Sequence, residues 1–130
     1  MNEIEKIMSS YPNLSLKYVE MPTGIRGLIV GDRILLDCKL SSEEKLQWLY
    51  EELGHYETTV GNITTTDSMN NKKQERKARV WGMKNHVPEI ALQTFANKHV
   101  NDFEVADDLG VNVEYLREVG ETYGFNAKSN

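Results

Sequence analysis

The hydrophobic period of this chain changes at Leu40. Upstream, "LSLKYVEM" alternates Leu14, Leu16 and Tyr18 in the manner of a half-buried strand. "GLIVGDRILLD" then holds two β-rich runs around Gly31-Asp32, a two-residue loop that suits a type II′ hairpin turn. Downstream, apolar residues recur at a helical spacing of about 3.6. One face of a strand buries an alternating set, and one face of a helix buries a 3.6-period set. The break therefore restricts the chain to a small sheet followed by helices. The fold class is α+β: a short antiparallel sheet and a helical remainder.

Local signals divide the chain further. "NEIEKIMSS" puts Ile4, Ile7 and Met8 on one face of a short N-terminal helix, which Tyr11-Pro12-Asn13 ends. Ser41 with Glu44 forms a capping-box pattern, and Leu46, Leu49, Tyr50 and Leu53 follow the core spacing of an amphipathic helix. That helix is predicted to run to about Thr58, with Gly61 near its end and "GNITTTDSMNN" as a polar loop. A second helix is predicted from near Lys72 to about His86, and Pro88 opens a third at its N1 position. "DFEVADDLG" and "NVEYLREVGETYG" read as two short helices, with Asp102 and Asn112 as N-caps and Gly110 and Gly124 as stops. With no repeats and no long linker, the expectation is one domain over 1–130. Residues 1–40 would form the helix and sheet, 41–100 the helices that carry chemistry, and 101–125 a C-terminal helical pair.

Composition removes several classes of function. A chain that is 39% hydrophobic and 27% charged has the balance of a soluble globular protein with a real core. Its longest apolar run is broken by Asp32 and Arg33, so nothing in it spans a bilayer. No basic segment followed by an apolar one opens the chain, and the cytoplasm is the expected compartment. Cys38 is the only cysteine, which excludes an internal disulfide and any cysteine-based zinc cluster; just past the hairpin, it reads as a small buried hydrophobe. The net charge of -5 is unevenly spread. Lys72, Lys73, Arg76, Lys77, Arg79 and Lys84 face only Glu75 in their segment and read as a solvated helix face. From Asp102 to Gly124 the acids are opposed by Arg117 alone, which argues against binding a phosphate backbone there.

The chemistry concentrates in "LYEELGHYETT". The zinc-protease helix pattern H-E-x-x-H places two histidines one turn apart with a glutamate between them. Here Glu51, Glu52 and His55 hold those places. Glu51 and His55, at i and i+4, lie on one helix face and can point at one ion. Zinc accepts carboxylate oxygen as well as imidazole nitrogen. Glu52 takes the position of the general base. Gly54 is expensive in a helix interior, by roughly 1 kcal/mol, and such a glycine marks a close backbone approach. In "QERKARVWG", Glu75, Ala78 and Gly82 make a stripe of one acid and two small residues. Packed against Gly54, that stripe would direct Glu75 to the same ion as the third ligand. Two carboxylates and one imidazole leave Zn2+ formally neutral, a weaker Lewis acid or a site shifted toward an oxygen-loving ion such as manganese. The same five residues alone would read as an ordinary solvated helix face. Trp48, Tyr50, Tyr56 and Trp81 read as core or groove aromatics, and His86 and His99 as helix-end residues favoured by the dipole.

Three ordered segments resemble the ImmA/IrrE family of metallopeptidases. "YEELGHYETT" is similar to the family's H-E-L-G-H helix. "ERKARVWGMKNHVP" resembles its next motif, with Glu75, Ala78, Trp81, Gly82 and Pro88 at the matching places. "EVADDLGVNVEYLREVG" is similar to its C-terminal segment. The resemblance covers most of the chain. It implies a small zincin-like domain with zinc at the positions of residues 51, 55 and 75 and Glu52 as general base. It also implies a protein partner, a helix-turn-helix repressor of a phage or mobile element that is cleaved or otherwise inactivated. Glu51 departs from the family's histidine, and it leaves three states open: zinc, manganese or no metal. The departures at Arg79 and in "KNHV" are expected to touch no ligand position.

Two other classes compete with a working peptidase. A pseudoprotease would keep the fold and sequester a regulatory protein without cutting it. A DNA-binding module would use the C-terminal helical pair as a helix-turn-helix, but Glu114, Glu118 and Glu121 would face the phosphates with only Arg117 to offset them, so direct DNA binding is not expected.

Overall fold

A computed structural model describes residues 1–59, 68–96, 98 and 100–125 of the chain. Gly61, most of the expected polar loop and His99 lie outside the described residues. The first helix, α1 (Glu3–Ser9), is capped by Asn2, whose side chain accepts from the Glu5 amide at 2.8 Å while Glu5 accepts from the Asn2 amide at 3.0 Å. Three strands follow: β1 (Ser15–Val19), β2 (Gly27–Val30) and β3 (Arg33–Asp37). The turn between β2 and β3 has Gly31 at φ +61°, while Asp32 keeps a negative φ, as the type II′ geometry requires.

The sheet order is β1-β3-β2, and here the structure departs from expectation. β2 and β3 are antiparallel, but β1 runs parallel to β3, pairing Ser15 with Arg33 and Val19 with Asp37. The sheet is mixed, not antiparallel. Residues 20–26 carry the chain past the central position to the far edge, and the hairpin then returns β3 into the middle. Alternation reports which face of a strand is buried and says nothing of its direction. Ile34 and Leu36 on the central strand are fully buried, whereas Tyr18 on the edge strand is exposed, with Lys45 Nζ 4.8 Å from its ring centre. Cys38, read as buried, is exposed, because it lies in the turn that leaves β3.

Among the described residues five helices follow the sheet: α2 (Ser42–Thr58), α3 (Ser68–His86), α4 (Glu89–Ala96), α5 (Asp102–Leu109) and α6 (Val113–Thr122). The Ser41–Glu44 capping box opens α2 as expected. α3 begins at Ser68, a turn before the expected Lys72, so "SMNN" is helix despite its loop-like composition. The N-cap of α5 is Asn101 and not Asp102, since the capping box closes on Glu104 three residues later. Asn112 caps α6, and Gly110 and Gly124 follow their helices with φ of +73° and +87°.

Two apolar cores share α3. Leu14, Ile34, Leu36, Leu49 and Leu53 form the first, between the sheet and α2, with Trp81 packed on it. Met83, Val87, Val105, Ala106, Val111, Tyr115, Leu116 and Val119 form the second, among α3, α5 and α6. Trp81 and Met83, two residues apart on α3, serve different cores, so α3 ties the sheet half to the C-terminal helices. Among the described residues no helix is long and apolar enough to cross a membrane.

Candidate metal centre

Close packing of α2 on α3 builds the site. A Cβ on Gly54 would overlap the carbonyl oxygen of Ala78, and a Cβ on Gly82 would lie 2.9 Å from that of Tyr50. These reciprocal contacts, 54 against 78 and 82 against 50, define an antiparallel crossing in which only glycine fits. Side chains between these contacts and just beyond the Gly54–Ala78 one are brought together. His55 Nε2 lies 3.4 Å from Glu75 Oε1, and Arg79 Nη1 donates to Glu51 Oε1 at 2.7 Å.

Glu51, His55 and Glu75 each bring one potential ligand atom to within 4.8 Å of the other two. Beside them, Glu52 is only 5% exposed. It fits under β2 because residue 27 has no side chain; a Cβ there would stand 3.2 Å from Glu52 Oε2. Burial, and then the negative charge of Glu51 and Glu75, push the Glu52 carboxyl up to about 8. Burial also raises Glu51, and the Arg79 guanidinium offsets part of that rise. All four acidic and imidazole groups line an open groove of about 490 Å³ with Gly27, Leu28, Ile29 and Trp48. A neighbouring groove of about 630 Å³ shares His55 and Ile29 and extends past Tyr56. The roomier cavity of about 650 Å³ beside Tyr50 and His86 includes none of the four.

A divalent cation suits this donor set. Three carboxylates crowd a partly buried place in which Arg79 is the cation in direct contact, and two carboxylate oxygens with one imidazole nitrogen are donors that zinc accepts. The family model for the IrrE N-terminal-like domain, peptidase M78, matches residues 10–118. The chain belongs to that family. No curated protein and no solved structure matches it. Membership of the M78 peptidases, a typically metal-dependent family, makes its function metallopeptidase-like, and Glu51, His55 and Glu75 form a possible metal-binding group.

In this M78 domain the four residues singled out from the sequence share one groove. Arg79, against the expectation that it touches no ligand position, hydrogen-bonds Glu51 directly. Its signal was available: Arg79 lies four residues after Glu75, on the same helix face. Glu118, which holds the other side of Arg79, had no such signal. His86 is the last residue of α3, as expected, but it is packed rather than solvated there. It stacks on Tyr50, with ring centres 4.7 Å apart, and meets the Tyr115 hydroxyl at 3.1 Å; burial lowers it to about 4 and keeps it neutral. Trp48 and Trp81 are partly buried against the first core, and Tyr56 stands at the groove rim, edge-on to Tyr11.

Proposed function

We propose that this chain is a metal-dependent endopeptidase that cleaves a helix-turn-helix repressor in the cytoplasm and so derepresses a phage or mobile element. The convergence of Glu51, His55 and Glu75 beside the buried Glu52 carries this reading. Those three side chains would hold the ion, zinc by the family resemblance or manganese by the oxygen-rich donor set. When bound, the ion supplies Lewis acidity toward water and a peptide carbonyl, and positive charge that favours the ionised form of Glu52. Glu52 then takes the proton of the attacking water at its carboxylate and returns it to the leaving amine, a role worth about 10²- to 10⁴-fold. β2 lies at the sheet edge beside the groove, and an extended peptide segment laid along it would bring its carbonyl past Glu52.

The test pairs metal content with cleavage. Protein purified without chelator or tag histidines is assayed by elemental mass spectrometry, and a candidate helix-turn-helix repressor is co-expressed with the parent or with Glu52→Gln. The expected result is near-stoichiometric metal in both proteins and a cut only with the parent. A stable complex with the repressor and no cut by either protein would make the chain a sequestering pseudoprotease.

A further inference from the structure

We infer that Arg79, held in place by Glu118, is the positioning residue that allows a glutamate to serve as a metal ligand at position 51; this rests on the metal-site reading above. Arg79 donates from Nε and Nη2 to the two oxygens of Glu118, each at 2.7 Å, and from Nη1 to Glu51 Oε1, also at 2.7 Å. The guanidinium carbon lies 6.0 Å from the centre of the Tyr115 ring. One planar group therefore joins α2, α3 and α6, and its forked bond to Glu118 fixes the direction of the third donor. The Glu51 side chain is only 13% exposed, so that donor replaces water and does not compete with it.

The polarity of this contact matches a carboxylate ligand. An imidazole bound through one nitrogen carries N–H on the other and needs an acceptor behind it. A ligating carboxylate needs a donor, and Arg79 is one. With Oε1 engaged by Arg79, Glu51 would be left its other oxygen as a one-atom ligand, as an imidazole would. The guanidinium also draws charge from Glu51, which offsets the extra negative charge that a glutamate brings to the site. A purely structural ion pair would be complete with Glu118 alone. The third bond aims at the ligand face of α2, one turn along α3 from Glu75.

The experiment measures Zn2+ affinity of the full chain by competition with a chromophoric chelator, with thermal melts of the metal-free proteins as the folding control. Arg79→Met is expected to weaken zinc binding by about 10- to 100-fold, the usual effect of losing a partner behind a ligand. Arg79→Lys, which keeps charge but loses the fork, should also weaken it, and Glu118→Gln should do so to a smaller extent. Glu51→His alone should bind poorly, because its N–H would face the guanidinium N–H. The double variant Glu51→His/Arg79→Met should recover to within about tenfold of the parent, a rescue that general loosening of the helices would not produce. Should Arg79→Met fail to fold, Arg79→Lys and Glu118→Gln still decide the matter: zinc binding as tight as the parent's in both would overturn the inference. Unchanged or tighter zinc binding in folded Arg79→Met, or losses that simply add in the double variant, would overturn the inference while leaving the metal site standing. A parent that binds neither zinc nor manganese, or a His55→Ala variant that binds metal equally well, would overturn both.

Discussion

Gly54 on α2 and Ala78 on α3 touch backbone to backbone, and this contact sets how far Glu75 stands from His55. A methyl at residue 54 would run into a carbonyl oxygen that belongs to a helix and cannot rotate away. Gly54→Ala should therefore cost about 3 kcal/mol, at the upper end of overpacking. The melting temperature should fall by about 10 °C. Zinc binding should weaken with it, since the helices must part. A melt by circular dichroism checks the first effect, and an unchanged midpoint would mean that the crossing is looser than the glycine contacts require.

Metal binding should appear as stability. A ligand that binds only the folded chain adds about 2.7 kcal/mol at a hundredfold excess over its dissociation constant. For this chain that corresponds to a rise in melting temperature of about 8 °C. His55→Ala and Glu75→Ala should abolish the rise while leaving the metal-free melt close to the parent, because both side chains point into the groove and not into a core. A rise that persists in both variants would place the ion elsewhere.

Gly27 separates Glu52 from β2. A Cβ at residue 27 would come 2.9 Å from Leu36 Cδ2 and 3.2 Å from Glu52 Oε2. Leu36 and Glu52 are both buried, so Leu36 cannot take up the whole clash and the carboxylate must shift with it. Gly27→Ala should keep its zinc and lose about 10- to 100-fold in turnover, the scale expected of a base displaced by a fraction of an ångström to one ångström. Steady-state cleavage of the repressor beside metal analysis would show the split; equal turnover would mean that Glu52 has room to spare.

Acid should destabilise the protein through His86. Its folded value, lowered to about 4 by burial, lies below the ordinary 6.5, so between those limits the unfolded chain binds more protons. The stability that neutral His86 contributes is complete above pH 6.5 and is lost as the pH falls toward 4, by up to about 3 kcal/mol. His86→Phe keeps an aromatic ring on Tyr50 and removes the titration. Urea unfolding at pH 7 and pH 4.5 should show a smaller loss in that variant than in the parent.

What could be read from the sequence is what spacing within one element encodes. The capping box at Ser41, the shared face of Glu51 and His55, the type II′ turn at Gly31 and the close approach at Gly54 each depend on residues a few positions apart, where helix or strand geometry fixes the outcome. The small-residue stripe of Ala78 and Gly82 even carried one step of tertiary structure, because only a neighbouring backbone explains such residues in a helix. The parallel pairing of β1 with β3, the burial of His86 between Tyr50 and Tyr115, and the bond from Arg79 to Glu51 were decided elsewhere. Arg79 and Glu118 are 39 residues apart, and their pairing exists only because α6 packs against α3 through the second core. Local sequence determines which face of an element is offered; which charge meets that face depends on how whole elements pack, and that is settled by burial summed over both cores.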